Sequence, residues 1–195
     1  MNPGDIRNSI REKRRALTLA QQRNAADNLA QQLCQQDFFL YAQRIGVYLA
    51  NDGEIDPTPI IETAFKLHKA CFLPVIDSLS KNSLHFAQYH QGDVLHKNRF
   101  GIPEPDLSAA HIVPVWSLDL VLVPLVGFDR DGNRIGMGGG FYDRTLASRP
   151  EQPYSPKLVG LAHQCQELDN INCQSWDIPL DKIATDKEII SARQK

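Results

Sequence analysis

The chain has 195 residues, with 21 Lys and Arg against 23 Asp and Glu and a formal net charge of -2. That length fits one domain, and a 42% apolar share with a mean hydropathy of -0.34 is that of a soluble globular protein. The balance excludes a general basic field for nucleic acid or anionic lipid, and no apolar run nears the ~20 residues of a membrane span.

Met1 to Arg15 is polar and basic without an apolar stretch, so no secretory leader is expected, and Asp5 and Glu12 argue against a transit peptide. Ile6, Ile10 and Ala16 give residues 5–16 helical spacing. Thr18 with Gln21 reads as a capping box that opens a second helix running to about Gln35. Its inner stripe is Ala25, Leu29, Ala30 and Leu33. Arg44 to Ala50 reads as a strand, Asp52 to Pro57 as a loop, and Pro57 and Pro59 as the entrance of a helix through Leu67.

Ala70 to Ile76 is a second buried strand, and Ser83 to Tyr89 alternates as a half-exposed one. Residues 91–117 are loop-rich, and Phe100-Gly-Ile-Pro-Glu-Pro105 is expected to hold no regular structure. Leu118 to Val126, the most apolar run, predicts a central parallel strand. Lys157 to His163 predicts another, and the residues from Trp176 a loop with one last short strand. Strands alternating with helices predict an α/β fold, a three-layer domain with a largely parallel, mixed central sheet flanked by helices. No repeat or linker divides the chain. In such sheets ligands lie beyond the carboxyl ends of the strands, which puts the loops after Ala50, Val126 and His163 on one rim.

Four of the twelve glycines fall within five residues, at Gly136, Gly138, Gly139 and Gly140. They lie between the central strand and a predicted helix. The run is not a P-loop, because no Gly-Lys-Ser/Thr follows, and its Gly-x-Gly-Gly-Gly spacing is not the dinucleotide fingerprint. Adjacent glycines cost order unless a conformation or a close approach requires them. The expected use is a set of backbone amides turned toward phosphate, with Arg134 and Arg144 supplying charge.

Asp129 to Asn133 lacks the calcium-loop glycine and distal Glu, so Asp131-Gly132 reads as a tight turn. Asp143 can favour the helix start through the dipole or bind Mg²⁺ beside a phosphate. Glu54 can be a solvated turn acid or a carboxylate that accepts N–H donors from a heterocycle. Arg7, Arg11, Lys13, Arg14 and Arg15 can form a solvated helix face or reach a nucleotide phosphate. Cys34, Cys71, Cys165 and Cys173 form no Cys-x-x-Cys pair and no metal spacing with His, so buried thiols are expected. His163 can reach the rim, and the other histidines read as surface residues. No Gly-x-Ser-x-Gly elbow or paired cysteine supports nucleophilic catalysis.

The motif Pro124-x-x-x-Phe128-Asp-x-x-Gly132-x-Arg134-x-Gly136-x-Gly138-Gly-Gly-Phe-Tyr-Asp143 resembles that of the 5-formyltetrahydrofolate cyclo-ligase family, also called 5,10-methenyltetrahydrofolate synthetase. Gly53-Glu-Ile-Asp56, Leu73-Pro74 and Gly101-Ile-Pro-Glu-Pro105 extend the likeness over nearly the whole chain. The resemblance implies ATP- and Mg²⁺-dependent closure of 5-formyltetrahydrofolate to 5,10-methenyltetrahydrofolate, through phosphorylation of the formyl oxygen. It implies a cytoplasmic, monomeric, single-domain enzyme with no nucleic-acid or membrane partner.

Carried over by position, Arg134 and Tyr142 are the candidate catalytic residues. The ATP site comprises Arg7, Arg134, Ile135, Gly136, Met137, Gly138, Gly139, Gly140, Phe141 and Tyr142. The folate would meet Glu54 and Met137 to Phe141, and Asp143 and Asp177 would bind Mg²⁺. The chain departs from the family at Pro3, where a lysine is usual, and at Met137 and Gly139, where longer polar side chains are common.

Overall fold

The computed structural model describes residues 3–76, 83–98, 101–106, 110–147 and 154–192. Helices α1 (Pro3–Arg15), α2 (Leu19–Leu33) and α3 (Asp37–Leu40) lead into β1 (Arg44–Gly46), α4 (Thr58–Lys66) and β2 (Ala70–Ile76). Strands β3 (Leu84–Tyr89), β4 (Leu95–Lys97), β5 (Pro103–Pro105), β6 (Ile112–Val113) and β7 (Leu120–Pro124) follow. The rest is β8 (Gly127–Phe128), β9 (Arg134–Ile135), α5 (Phe141–Leu146), β10 (Lys157–Ala162), β11 (Lys182–Thr185) and β12 (Ile189–Ser191).

Eight strands form one sheet in the order β12-β11-β10-β7-β1-β2-β3-β6. The five inner strands from β11 to β2 pair in parallel, and β12, β3 and β6 add antiparallel edges. β7 is central, as its apolar run predicts, because both faces are covered: Leu120 and Leu122 join one core and Val121 and Val123 the other. The first core packs the α2 stripe and α4 (Ile60, Ile61, Ala64) on the sheet. The second takes Phe141 and Tyr142 of α5 on the opposite face. The period of two along a strand thus separates the layers.

The capping box of α2 is present: Gln21 N donates to Thr18 Oγ1 (3.2 Å) and Thr18 N to Gln21 Oε1 (2.8 Å). α2 stops at Leu33, two residues short of the expected end. β1 is three residues long rather than seven, because after Val47 the chain leaves the ladder to form the site loop. Pro103–Pro105 is a strand, paired with Leu95–Lys97, contrary to the expectation of irregular structure. A two-stranded ribbon leaves outward-facing positions where a missing N–H costs nothing; Phe100 lies outside the described residues. The tail adds two strands, β11 and β12, rather than one. Cys165 and Cys173 are exposed rather than buried, since both stand after β10, outside the strands whose faces form the two cores. Among the described residues no helix is long and apolar enough to cross a membrane.

Candidate functional site

Beyond the carboxyl ends of β1 and β7 lies a cavity of about 490 Å³, within the usual range for small-molecule sites. The loop after β1 brings Tyr48 to Glu54 to one side, and Arg134 to Asp143 form another. Leu73 and Ile76 of β2, Leu125, and Asn98, Ile102, Pro103 and Glu104 at the β4–β5 ribbon close the rest. Most of this lining is apolar, and the polar groups converge from two directions. Such a site holds a small organic molecule between apolar walls and orients it by few polar contacts.

The glycine loop follows a hairpin. Asp129 caps the turn, accepting from Asp131 N and Asn133 N (both 3.0 Å) and from Asn133 Nδ2 (2.8 Å). Its carboxylate also accepts from Ile171 N (3.0 Å), so it is a structural anchor and not a calcium ligand. Gly138 (φ 95°) and Gly140 (φ 63°) take left-handed conformations that L side chains avoid. Gly140 is the N-cap of α5. With six residues, α5 is too short for a large summed dipole, so what it offers a ligand is local backbone geometry at its first turn.

Arg7 of α1 donates from Nε to Gly136 O (3.0 Å), so the N-terminal helix does reach the glycine loop. Arg144 donates to Gly139 O. Arg134, almost fully buried, donates from Nη2 to Asp143 Oδ1 (2.6 Å) and from Nη1 to Ile178 O. Asp143 Oδ1 also accepts from Ile178 N (3.2 Å). The segment carrying Asp177 is therefore drawn up to Asp143. The Asp177 carboxylate itself closes its own turn, accepting from Gln174 N (2.8 Å). The buried hydroxyl of Tyr142 has no hydrogen-bond partner among the described residues, which leaves a donor for an acceptor on a ligand. Burial first, and then the nearby Glu54 charge, raise its pKa.

Glu54 lines the cavity with its carboxylate accepting from Asn51 N (3.1 Å). Burial pushes its pKa up to about 7, Asp52 adds to the rise, and the Asn51 N–H and the Arg14 charge oppose it. Glu54 is therefore partly protonated at neutral pH, able to accept or give a hydrogen bond. The turn-acid reading does not fit a side chain so enclosed.

Asp52, two residues before, is gripped by Arg11 Nε (2.7 Å), Arg14 Nη2 (3.0 Å) and Arg15 Nε (2.5 Å). Burial works against its charge, but the hydrogen bonds from these arginines hold its pKa down at about 2. Three arginines that the sequence left as a solvated face or phosphate ligands thus serve a carboxylate of the chain itself. Their helical spacing was visible, but nothing local marks Asp52 as their target, 37 to 41 residues away.

Of the candidate residues, Glu54, Arg134, Gly136, Met137, Gly139, Gly140, Phe141, Tyr142 and Asp143 line the cavity. Ile135 ends β9 and Gly138 sits in the loop after it, Arg7 braces that loop, and Asp177 directly precedes Ile178, the residue that contacts Asp143. The apolar walls at Tyr48, Ile76 and Leu125 carry no chemical signature in the sequence, and Ile102 is marked there only as part of the Gly101-Ile-Pro-Glu-Pro105 motif. His163, buried at the end of β10, does not line the cavity.

A model of the 5-formyltetrahydrofolate cyclo-ligase family matches residues 2–186. The 5-formyltetrahydrofolate cyclo-ligase of Escherichia coli K12 is 39% identical over 180 residues, 92% of this chain and 98% of that protein. The Haemophilus influenzae protein of the same name is 39% identical over 175 residues, covering 90% and 92%. The NMR structure of Aquifex aeolicus 5,10-methenyltetrahydrofolate synthetase superposes with a TM-score of 0.84 at 28% identity, over 100% of this chain and 95% of that one. With a fold, a cavity motif and relatives that agree along its length, the chain belongs to the 5-formyltetrahydrofolate cyclo-ligase family, a family of ligases.

Proposed function

We propose that this protein closes 5-formyltetrahydrofolate to 5,10-methenyltetrahydrofolate with consumption of MgATP. The observation that carries the reading is the cavity itself, with a partly protonated carboxylate, Glu54, on one side and the glycine loop with Arg134 and Tyr142 on the other. Glu54 accepts N–H groups of the pterin, and the apolar walls cover its faces. Arg7, Arg134 and the amides of Gly136 to Phe141 take the ATP phosphates, and Met137 to Phe141 also face the folate.

The γ-phosphoryl group passes to the formyl oxygen, and ADP leaves. The neighbouring bridging amine attacks the activated carbon, loses its proton, and the former formyl oxygen departs with phosphate. Positioning and charge suffice for this transfer, so no protein nucleophile is needed. Arg134 offsets charge on the transferring group, and the unpartnered Tyr142 hydroxyl donates to an oxygen of it.

Mg²⁺ fits Asp143 and, from the adjoining loop, Asp177. Among the described residues no three His, Cys, Asp or Glu side chains cluster as a protein-only metal cage. Magnesium characteristically takes one or two carboxylates and completes its shell with phosphate oxygens and water. When bound it neutralises phosphate charge. We further read the protein as a cytoplasmic monomer of one domain.

The test is the absorbance growth of methenyltetrahydrofolate when purified protein meets 5-formyltetrahydrofolate, with ATP and magnesium added or withheld. Product that requires all three supports the proposal. Tight folate binding without any product would instead describe a non-catalytic relative and overturn it.

A further inference from the structure

Among the described residues Arg14 is the largest fully buried side chain, and it sits under the cavity rather than in it. A buried guanidinium is costly unless its donors are satisfied, and here each bond goes to the loop that carries Glu54 or to the chain beside it. Nε donates to Asp52 O (2.8 Å), Nη1 to Leu125 O (3.2 Å), and Nη2 to Asp52 Oδ2 (3.0 Å). The same Nη2 lies 4.0 Å from Glu54 Oε1. One planar fork thus ties α1, the chain after β7 and the Asn51–Glu54 loop into one rigid unit. Lysine, with one ammonium, cannot reproduce that geometry. The loop needs such a tie, because Asp52 (φ 53°) and Gly53 (φ 75°) both stand in the left-handed region.

We propose that Arg14 is a positioning residue for Glu54, fixing where its carboxylate stands in the cavity and, with Asp52, setting how tightly it holds its proton. The role of Glu54 as the pterin-facing group rests on the function proposed above, but the tie to its titration does not. Charges of opposite sign act on Glu54 from below. Arg14 favours its ionised form and Asp52 its neutral form. Arg11 and Arg15 engage Asp52 rather than Glu54. From above, Tyr142 of α5 and Tyr48 face it, both with proton affinities raised by burial and therefore uncharged. Arg134 and Asp143 on the same cavity wall are paired with each other. On the far side of Gly53, His163 has its pKa lowered, first by burial and also by the Arg14 charge.

The experiment is a ¹³C-carboxylate NMR titration of glutamate-labelled protein, with Glu54→Gln assigning the resonance. It compares wild type with Arg14→Met, Arg14→Lys and Asp52→Asn, alongside KM and kcat for 5-formyltetrahydrofolate. Arg14→Met removes the nearby cation and should raise the Glu54 midpoint by about one unit. Asp52→Asn keeps Arg14 in place but removes the competing carboxylate, so it should lower the midpoint. Arg14→Lys should leave the midpoint near that of wild type yet raise KM about tenfold, as Arg14→Met does, with kcat changed far less. A purely structural role for Arg14 would not move the two midpoints in opposite directions. Midpoints that coincide, or that move the same way, overturn the proposal. If Arg14→Met fails to fold, Arg14→Lys decides together with Asp52→Asn: a KM raised about tenfold in Arg14→Lys and a fallen midpoint in Asp52→Asn support the proposal, and an unchanged KM or a midpoint that does not fall overturns it. A wild-type protein that makes no product would sink the functional reading, while the titration still judges the role of Arg14.

Discussion

Glu54→Gln should make the protein more stable and less useful, and the gain should depend on pH. Burial raises the Glu54 pKa from 4.5 to about 7. At about 1.4 kcal/mol per unit, the folded state carries about 3 kcal/mol of cost once the group is ionised. The sign follows from proton counts. Between about pH 4.5 and 7 the folded state binds the proton and the unfolded state does not, so stability falls as pH rises through that window. Below it both states are protonated, and above it the full cost is present. Glutamine keeps the acceptor for Asn51 N but never ionises. The variant should match wild type near pH 4.5 and exceed it by about 3 kcal/mol at pH 8, which is about 6–12 °C in Tm for a chain of this size. Urea unfolding at several pH values, with Tm in parallel, reads this directly. A stability difference that stays constant from pH 4.5 to 8, or a variant weaker than wild type at pH 8, would refute the buried-acid argument. Folate KM should rise in the same variant, placing the stability cost and the binding function on one atom pair.

Arg134→Gln breaks the 2.6 Å contact to Asp143 and removes one of the cations beside the glycine loop, so kcat should fall on the order of 100-fold with little change in folate binding; steady-state kinetics and folate titration check both halves. A Cβ at Gly139 would come within 2.8 Å of the Phe141 ring. Gly139→Val should therefore displace the Phe141 ring and raise KM for ATP while Tm stays within a few degrees; unchanged kinetics would mean that the loop is only a turn. Gly132→Ala should cost about 2 kcal/mol or more by denaturant unfolding, because φ is 88° and the new Cβ would stand 2.6 Å from Leu180 O. Thr18→Ala, which removes the capping-box acceptor of α2, should cost about 1 kcal/mol with activity unchanged.

The glycine loop was legible because its signal is local. Strand, turn, glycines and helix follow one another without interruption, and backbone chemistry reads directly from residue type. Glu54 was legible only as a position, since a turn acid and a ligand-binding acid look alike until burial is known. Arg14 was misread for the same reason: a basic residue on an amphipathic helix is usually solvated, and only the fold shows that its partners are Asp52 and Leu125. Pro103 and Pro105 were misread because proline excludes a central strand but not the ribbon on which they stand.

The sequence by itself determined the α/β class, a central strand within Leu118 to Val126, the α2 cap and the glycine loop. Each rests on periodicity, capping or backbone freedom within a short window. Tertiary structure alone decided that Arg7 meets Gly136, that three arginines hold Asp52, and that Glu54 is enclosed enough to hold a proton near neutrality. Those facts depend on contacts between segments tens of residues apart, and on the low dielectric that only a closed fold provides.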